Sequence, residues 1–115
     1  MYSMSYKPST RETPIWTFLT NHSHVIICLL MDSGILIRDL AVKIGITERA
    51  ALRILHELED EGFVTRNRIG RRNLYQVHTE GHLRHPVELY CSVGELFDPI
   101  LKAQRVAARR SRKNG

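Results

Sequence analysis

Apolar positions fall into two rhythms along the chain, and the change comes at Gly62. Before it, Ile37, Leu40, Ala41 and Ile44 recur at i, i+3, i+4 and i+7, one face of a helix over about 38–44. Gly45 follows, where a helix end favours a residue tolerant of positive φ, and Thr47 stands where the next helix needs an N-cap. Ala51, Ile54, Leu55 and Leu58 repeat the same spacing, and Gly62 closes that helix. Two short amphipathic helices joined by a turn of a few residues form a helix-turn-helix signature. Upstream, Val25–Met31 is apolar on every side and predicts a central helix. Thr20, Asn21 or Ser23 would cap it, and it would run to about Asp32. Ile15–Leu19 reads as a brief strand or a packing lid, and Ile35-Leu36 as a stub of strand.

After Gly62 the period falls to two. Phe63–Ile69 and Leu74–His78 read as strands, with Gly70-Arg71-Arg72-Asn73 supplying hairpin turn residues. A two-stranded hairpin is marginal alone, so it must pack on the helices. Thr79–His85 is polar, and Pro86 suits the first position of a further helix bearing Leu89, Val93, Leu96, Phe97 and Ile100. Pro99 interrupts that stripe. Either the helix kinks there, or Asp98 caps a separate helix beginning at Pro99. The expected class is mainly α with a small β-hairpin (α+β). One domain is expected over residues 14–104, preceded by a flexible arm (1–13) and followed by a basic tail (105–115) expected to be disordered.

Charge changes the picture more than composition does. An apolar fraction of 43% with 25% charged residues is ordinary for a globular protein. Residues 1–60 hold six basic and seven acidic side chains, whereas 61–115 hold eleven and five. The excess collects at Arg66–Arg72 and Lys102–Lys113, as on a surface that faces phosphates. The longest apolar run is far short of the ~20 residues of a bilayer span, and the N-terminus lacks the order of a secretory signal. Cys28 and Cys91 belong to no CxxC pair and read as small reduced residues in apolar stretches. A cytoplasmic protein without membrane association is expected.

The segments Leu40-Ala41-Val42-Lys43-Ile44-Gly45-Ile46-Thr47 and Leu55-His56-Glu57-Leu58-Glu59-Asp60-Glu61-Gly62-Phe63-Val64 resemble the MarR/ArsR-type winged helix-turn-helix regulators. The resemblance covers about residues 24–78. It implies a winged helix-turn-helix fold, double-stranded DNA as partner, and a role in transcriptional regulation. The second helix of the motif, about 48–61, would then enter the major groove with its N-terminal half leading. Its face opposite the core carries Glu48, Arg49, Leu52, Arg53 and His56. Arg49 and Arg53 lie one turn apart, and the arginine fork matches guanine O6 and N7, so these two are the first choices for base reading. Glu48 favours the helix start electrostatically or accepts from a cytosine amine, with the first preferred. Leu52 is placed at a thymine methyl or the core edge, and His56 at a phosphate or plain surface. Thr47 combines capping with a phosphate contact. Arg38 and Lys43 stand where the first helix of the motif would cross the DNA backbone. Arg66 and Arg68 share a strand face, while Arg71 and Arg72 are expected at the hairpin tip, against the minor groove or phosphates.

Competing readings are fewer. His78, His82 and His85, with Cys91 nearby, would suit a metal-responsive regulator if their segment were helical, although Gly81 and Pro86 argue for a loop. A winged helix used for protein contact is the other alternative. The sequence has no phosphate-binding Gly-rich loop, HExxH or GxSxG, so no enzyme and no cofactor are expected. Trp16, Phe18 and the stripe from Leu89 to Ile100 exceed the core that the motif and hairpin need. That surplus predicts a homodimer, with two recognition helices ~34 Å apart on a palindromic site.

Overall fold

The computed structural model describes residues 16–114, with side chains described to residue 111. The expected N-terminal arm, 1–13, lies outside the described residues. The element order is α1 (Asn21–Met31), α2 (Ile37–Ile44), α3 (Glu48–Asp60), β1 (Val64–Ile69), β2 (Arg72–Val77) and α4 (Val93–Asn114). This is the expected mainly α architecture with one small hairpin.

Local chemistry fixes each junction. Thr20 caps α1, its hydroxyl oxygen accepting from the Ser23 N–H. Gly45, at φ 87°, reverses the chain after α2, and Thr47 caps α3 by accepting from Ala50 N–H at 3.0 Å. Gly62, at φ 84°, ends α3, with Phe63 N–H returning to the Leu58 carbonyl at 2.9 Å. The core is made by Val25, Ile26 and Leu29 of α1, Leu40 and Ala41 of α2, and Ala51, Ile54, Leu55 and Leu58 of α3. Val64 and Tyr75 close it from the hairpin, and Val93 and Phe97 from α4. Helix α1 is central, as its sequence requires, but only one side is fully buried and Met31 is exposed. Cys28 and Cys91 are free and half-buried, and burial pushes the Cys28 thiol up.

The hairpin is antiparallel, from Val64 opposite Val77 to Ile69 opposite Arg72. Its loop is therefore only Gly70-Arg71, shorter than the four-residue turn expected from sequence. Arg72 and Asn73 are strand residues. The expected strand stub at Ile35-Leu36 does not form. The chain before it still meets the hairpin, through Tyr75 N–H to the Ser33 carbonyl at 2.9 Å. Residues 16–20 are neither strand nor helix. Trp16 and Phe18 pack edge to face at 5.2 Å while remaining 68% and 93% exposed, so they cover little of the core.

The helix expected from Pro86 starts later. Residues 86–90 form turns, and the loop closes through Leu83 N–H to Cys91 O (3.0 Å) and Val93 N–H to Gly81 O (2.8 Å). The start of α4 is fixed instead by Ser92 and Glu95. The Ser92 hydroxyl accepts from Glu95 N–H at 3.1 Å, and the Glu95 carboxylate accepts from Ser92 N–H at 2.8 Å. This is a capping box. A single helix passes through Pro99, whose ring leaves the Glu95 carbonyl without its helical donor. It also continues through residues 105–114, set apart in the sequence as a disordered tail. Ala103, Ala107 and Ala108, among lysines and arginines, are strong helix formers, so that stretch can be helical without burying a face.

Candidate nucleic-acid interface

Helix α3 divides cleanly. Ala51, Ile54, Leu55 and Leu58 are buried, and Glu48, Arg49, Leu52, Arg53 and His56 are exposed on the other side. The buried residues hold the helix on α1 and α2, so the exposed face is carried by a rigid scaffold. Thr47 is exposed at its N-terminus, and Arg38 is exposed on the preceding helix. Glu48 lies in the first turn, where a negative charge complements the helix dipole.

Hydrogen bonding separates the arginines into two groups. Arg49, Arg38 and Arg71 have no ion pair among the described residues. Arg53 pairs with Glu57 one turn on, at 3.3 Å. Arg66, in β1, lies 3.4 Å from Glu59 Oε2 of α3, an ion-pair contact without hydrogen-bond alignment. Arg68 donates from Nε to the Gly70 carbonyl at 3.2 Å, which folds it over the hairpin turn. Arg72 donates from Nη2 to the Gly34 carbonyl at 2.7 Å. Its guanidinium thus ties the hairpin to the α1–α2 junction, where the sequence placed it at the tip. Arg71 alone of the four occupies the two-residue loop.

The three histidines do not converge. His78 Nε2 is 2.5 Å from Thr65 Oγ1, His82 Nδ1 donates to the Leu89 carbonyl at 2.8 Å, and His85 Nδ1 accepts from Val87 N–H at 3.1 Å. No group of three metal-ligating side chains occurs among the described residues. The reason is local: the segment is a closed loop, so the i+3 and i+4 spacings do not bring these rings to one point.

Three features escaped the sequence reading. Glu57 binds both Arg53 and, at 2.7 Å, His22 Nε2 of α1. Arg84 pairs with Glu61 and sits over the Phe63 ring, 5.8 Å from its centre. An open groove of about 310 Å³ runs beside them between α1, α3 and α4, with Ile26, Leu58, Phe63 and Leu96 in its walls. Each joins residues far apart in sequence, and only the Arg53–Glu57 half of the first follows a local spacing, i, i+4.

Residues 20–65, spanning α1 to the first residues of β1, match the family model described as winged helix-turn-helix DNA-binding. MepR, a transcription regulator of the Staphylococcus aureus multidrug efflux pump MepA, superposes with a TM-score of 0.51 at 18% identity, over 80% of this chain and 64% of that one. The fold is a winged helix-turn-helix. In its terms α2 and α3 are the motif, and the β1–β2 hairpin is the wing. A cysteine-to-serine mutant of Lactococcus lactis ZitR is similar over 92% of this chain and 68% of its own, at 18% identity and a TM-score of 0.48. The Zn(II)-bound form of AdcR, a zinc-dependent MarR family transcriptional regulator, is similar over 57% of this chain and 47% of its own, at 23% identity and a TM-score of 0.42. The chain spans less than two thirds of the length of MepR. No curated protein sequence matches it.

Proposed function

We propose that the protein is a transcriptional regulator that binds double-stranded DNA in a sequence-specific manner, with α3 in the major groove and the wing on the backbone or minor groove. One observation carries the reading. The exposed face of α3 presents Arg49 and Arg53 one turn apart, in a winged helix whose wing loop carries Arg71. Arg49 and Arg53 would read base edges, with Leu52 and His56 beside them. Thr47, Arg38, Arg68 and Arg71 would meet phosphates, and Glu48 would serve the helix start. Arg66 and Arg72 would hold the wing in place for that contact.

A homodimer acting in the cytoplasm fits this reading. Val93 and Phe97 belong to the protomer's own core, so the apolar surplus is smaller than the sequence suggested. Trp16, Phe18 and Leu89 remain exposed, and Met31 and Val106 add apolar surface on α1 and α4. No helix of the described residues is long and apolar enough to cross a membrane. The proposed role is binding rather than catalysis.

Selection from random duplex DNA at moderate salt tests the proposal. An enriched palindrome supports a sequence-specific dimer, and an enriched single half-site supports a monomer. Salt-sensitive binding without enrichment would reduce the function to nonspecific DNA contact. Absence of binding would reject DNA in favour of a protein partner.

A further inference from the structure

Arg53 is part of a chain of three side chains. Its Nη1 lies 3.3 Å from Glu57 Oε2 and 3.4 Å from Glu57 Oε1. Glu57 Oε1 is also 2.7 Å from Nε2 of His22, on the first turn of α1 and 35 positions away. The bond from His22, and then Arg53, hold the Glu57 carboxyl below the usual carboxylate range, so near neutrality it is an anion between two donors. An exposed i, i+4 ion pair by itself fixes little. A carboxylate shared with a second helix is different, because tertiary structure then sets its direction.

The consequence falls on the guanidinium. It is a rigid plane with five N–H donors, and Glu57 engages only Nη1. Nε and Nη2 are left as a pair of parallel donors along one edge, the geometry that matches O6 and N7 of guanine. We infer that Glu57, itself held by His22, sets the base specificity of Arg53 by occupying Nη1 and leaving the Nε/Nη2 edge to guanine. Glu57 touches no base and is a positioning residue. The inference rests on the reading of α3 as the DNA-contacting helix. It also carries a signature: the Glu57 anion repels phosphate, so it lowers general affinity while sharpening base choice.

The experiment compares wild-type, Arg53→Ala, Glu57→Ala, Glu57→Gln and His22→Ala proteins. Each is titrated against the site selected by the wild type, its single-base-pair variants and nonspecific duplex, with melting temperatures measured alongside. Arg53→Ala identifies the base pair that Arg53 reads, as the one position where preference is lost. Glu57→Ala is expected to lower preference at that same pair by roughly threefold or more. The same substitution raises affinity for nonspecific duplex, which unfolding cannot do. Glu57→Gln keeps an acceptor without the charge, so preference recovers while nonspecific affinity stays raised. His22→Ala loses part of the preference. If Arg53→Ala relaxes one base pair while Glu57→Ala leaves it as selective as before, the inference is overturned and the DNA-binding reading stands. Failure of the wild type to select any sequence overturns both.

Discussion

Thr47 concentrates two demands in one hydroxyl. Its oxygen accepts from Ala50 N–H at 3.0 Å and so satisfies a donor at the start of α3. Its hydrogen remains available to donate, because a hydroxyl accepts and donates through different sites. The residue is exposed at the leading end of the proposed recognition helix, where a phosphate oxygen would be the natural acceptor. Thr47→Ala is expected to cost ~1 kcal/mol of stability in urea denaturation through the lost cap. It should also weaken DNA binding at a temperature where both proteins are folded. Thr47→Ser retains both bonds and should restore both properties. Unaltered affinity in the folded Thr47→Ala protein would confine the hydroxyl to capping.

At the scale of the element, α4 shows how a start signal is decided. Pro86 offers a helix start by its fixed φ alone, whereas Ser92 and Glu95 satisfy two orphan donors reciprocally, and the helix begins with them. Ser92→Ala should lower stability by ~1 kcal/mol. The Glu95 half of the box adds a pH dependence whose sign is fixed. The Ser92 N–H, and then its hydroxyl, hold the Glu95 carboxyl below its usual range. The folded state therefore favours the anion, and the stabilisation is present above the unfolded carboxylate pKa. It is lost as pH falls through the lowered folded value. The stability difference between wild type and Glu95→Gln should accordingly be largest near neutrality and vanish in acid. A difference that stays constant across this range would remove Glu95 from the cap. The helix stripes of α2 and α3 were legible because Leu40, Ala41, Ile54 and Leu55 obey a local period, and Gly45, Thr47 and Gly62 punctuate it. The strand identity of Arg72 was not, since its side chain is fixed by Gly34 across the fold. The same holds for Glu57, whose second partner, His22, lies 35 positions away and is brought to it only by α1.

For the molecule as a whole, the four wing arginines differ in what each offers to a polyanion, and ionic strength can separate them. Each phosphate neutralised contributes about 0.9 to the slope of log affinity against log salt, by counterion release. Arg71 occupies the wing loop without an ion pair among the described residues. Arg71→Ala should therefore flatten the slope by about one unit while leaving the fold as stable as before. Arg72 has equal charge but a different attachment, since its Nη2 donates to the Gly34 carbonyl at 2.7 Å. Gly34 is closely held there, for a Cβ at that position would approach Leu74 to 3.1 Å and the Arg72 guanidinium to 3.3 Å. Arg72→Ala should thus destabilise the protein by about 1 kcal/mol or more through the lost charged hydrogen bond, with little change in slope. Gly34→Ala crowds the same junction and should mimic the Arg72 effect on stability rather than the Arg71 effect on salt dependence. Equal slopes for wild type and Arg71→Ala would take the wing loop off the DNA and leave the proposed phosphate contacts to Arg38, Thr47 and Arg68. A full unit lost in Arg72→Ala would instead mean that the guanidinium leaves Gly34 when DNA arrives, so the wing would move on binding.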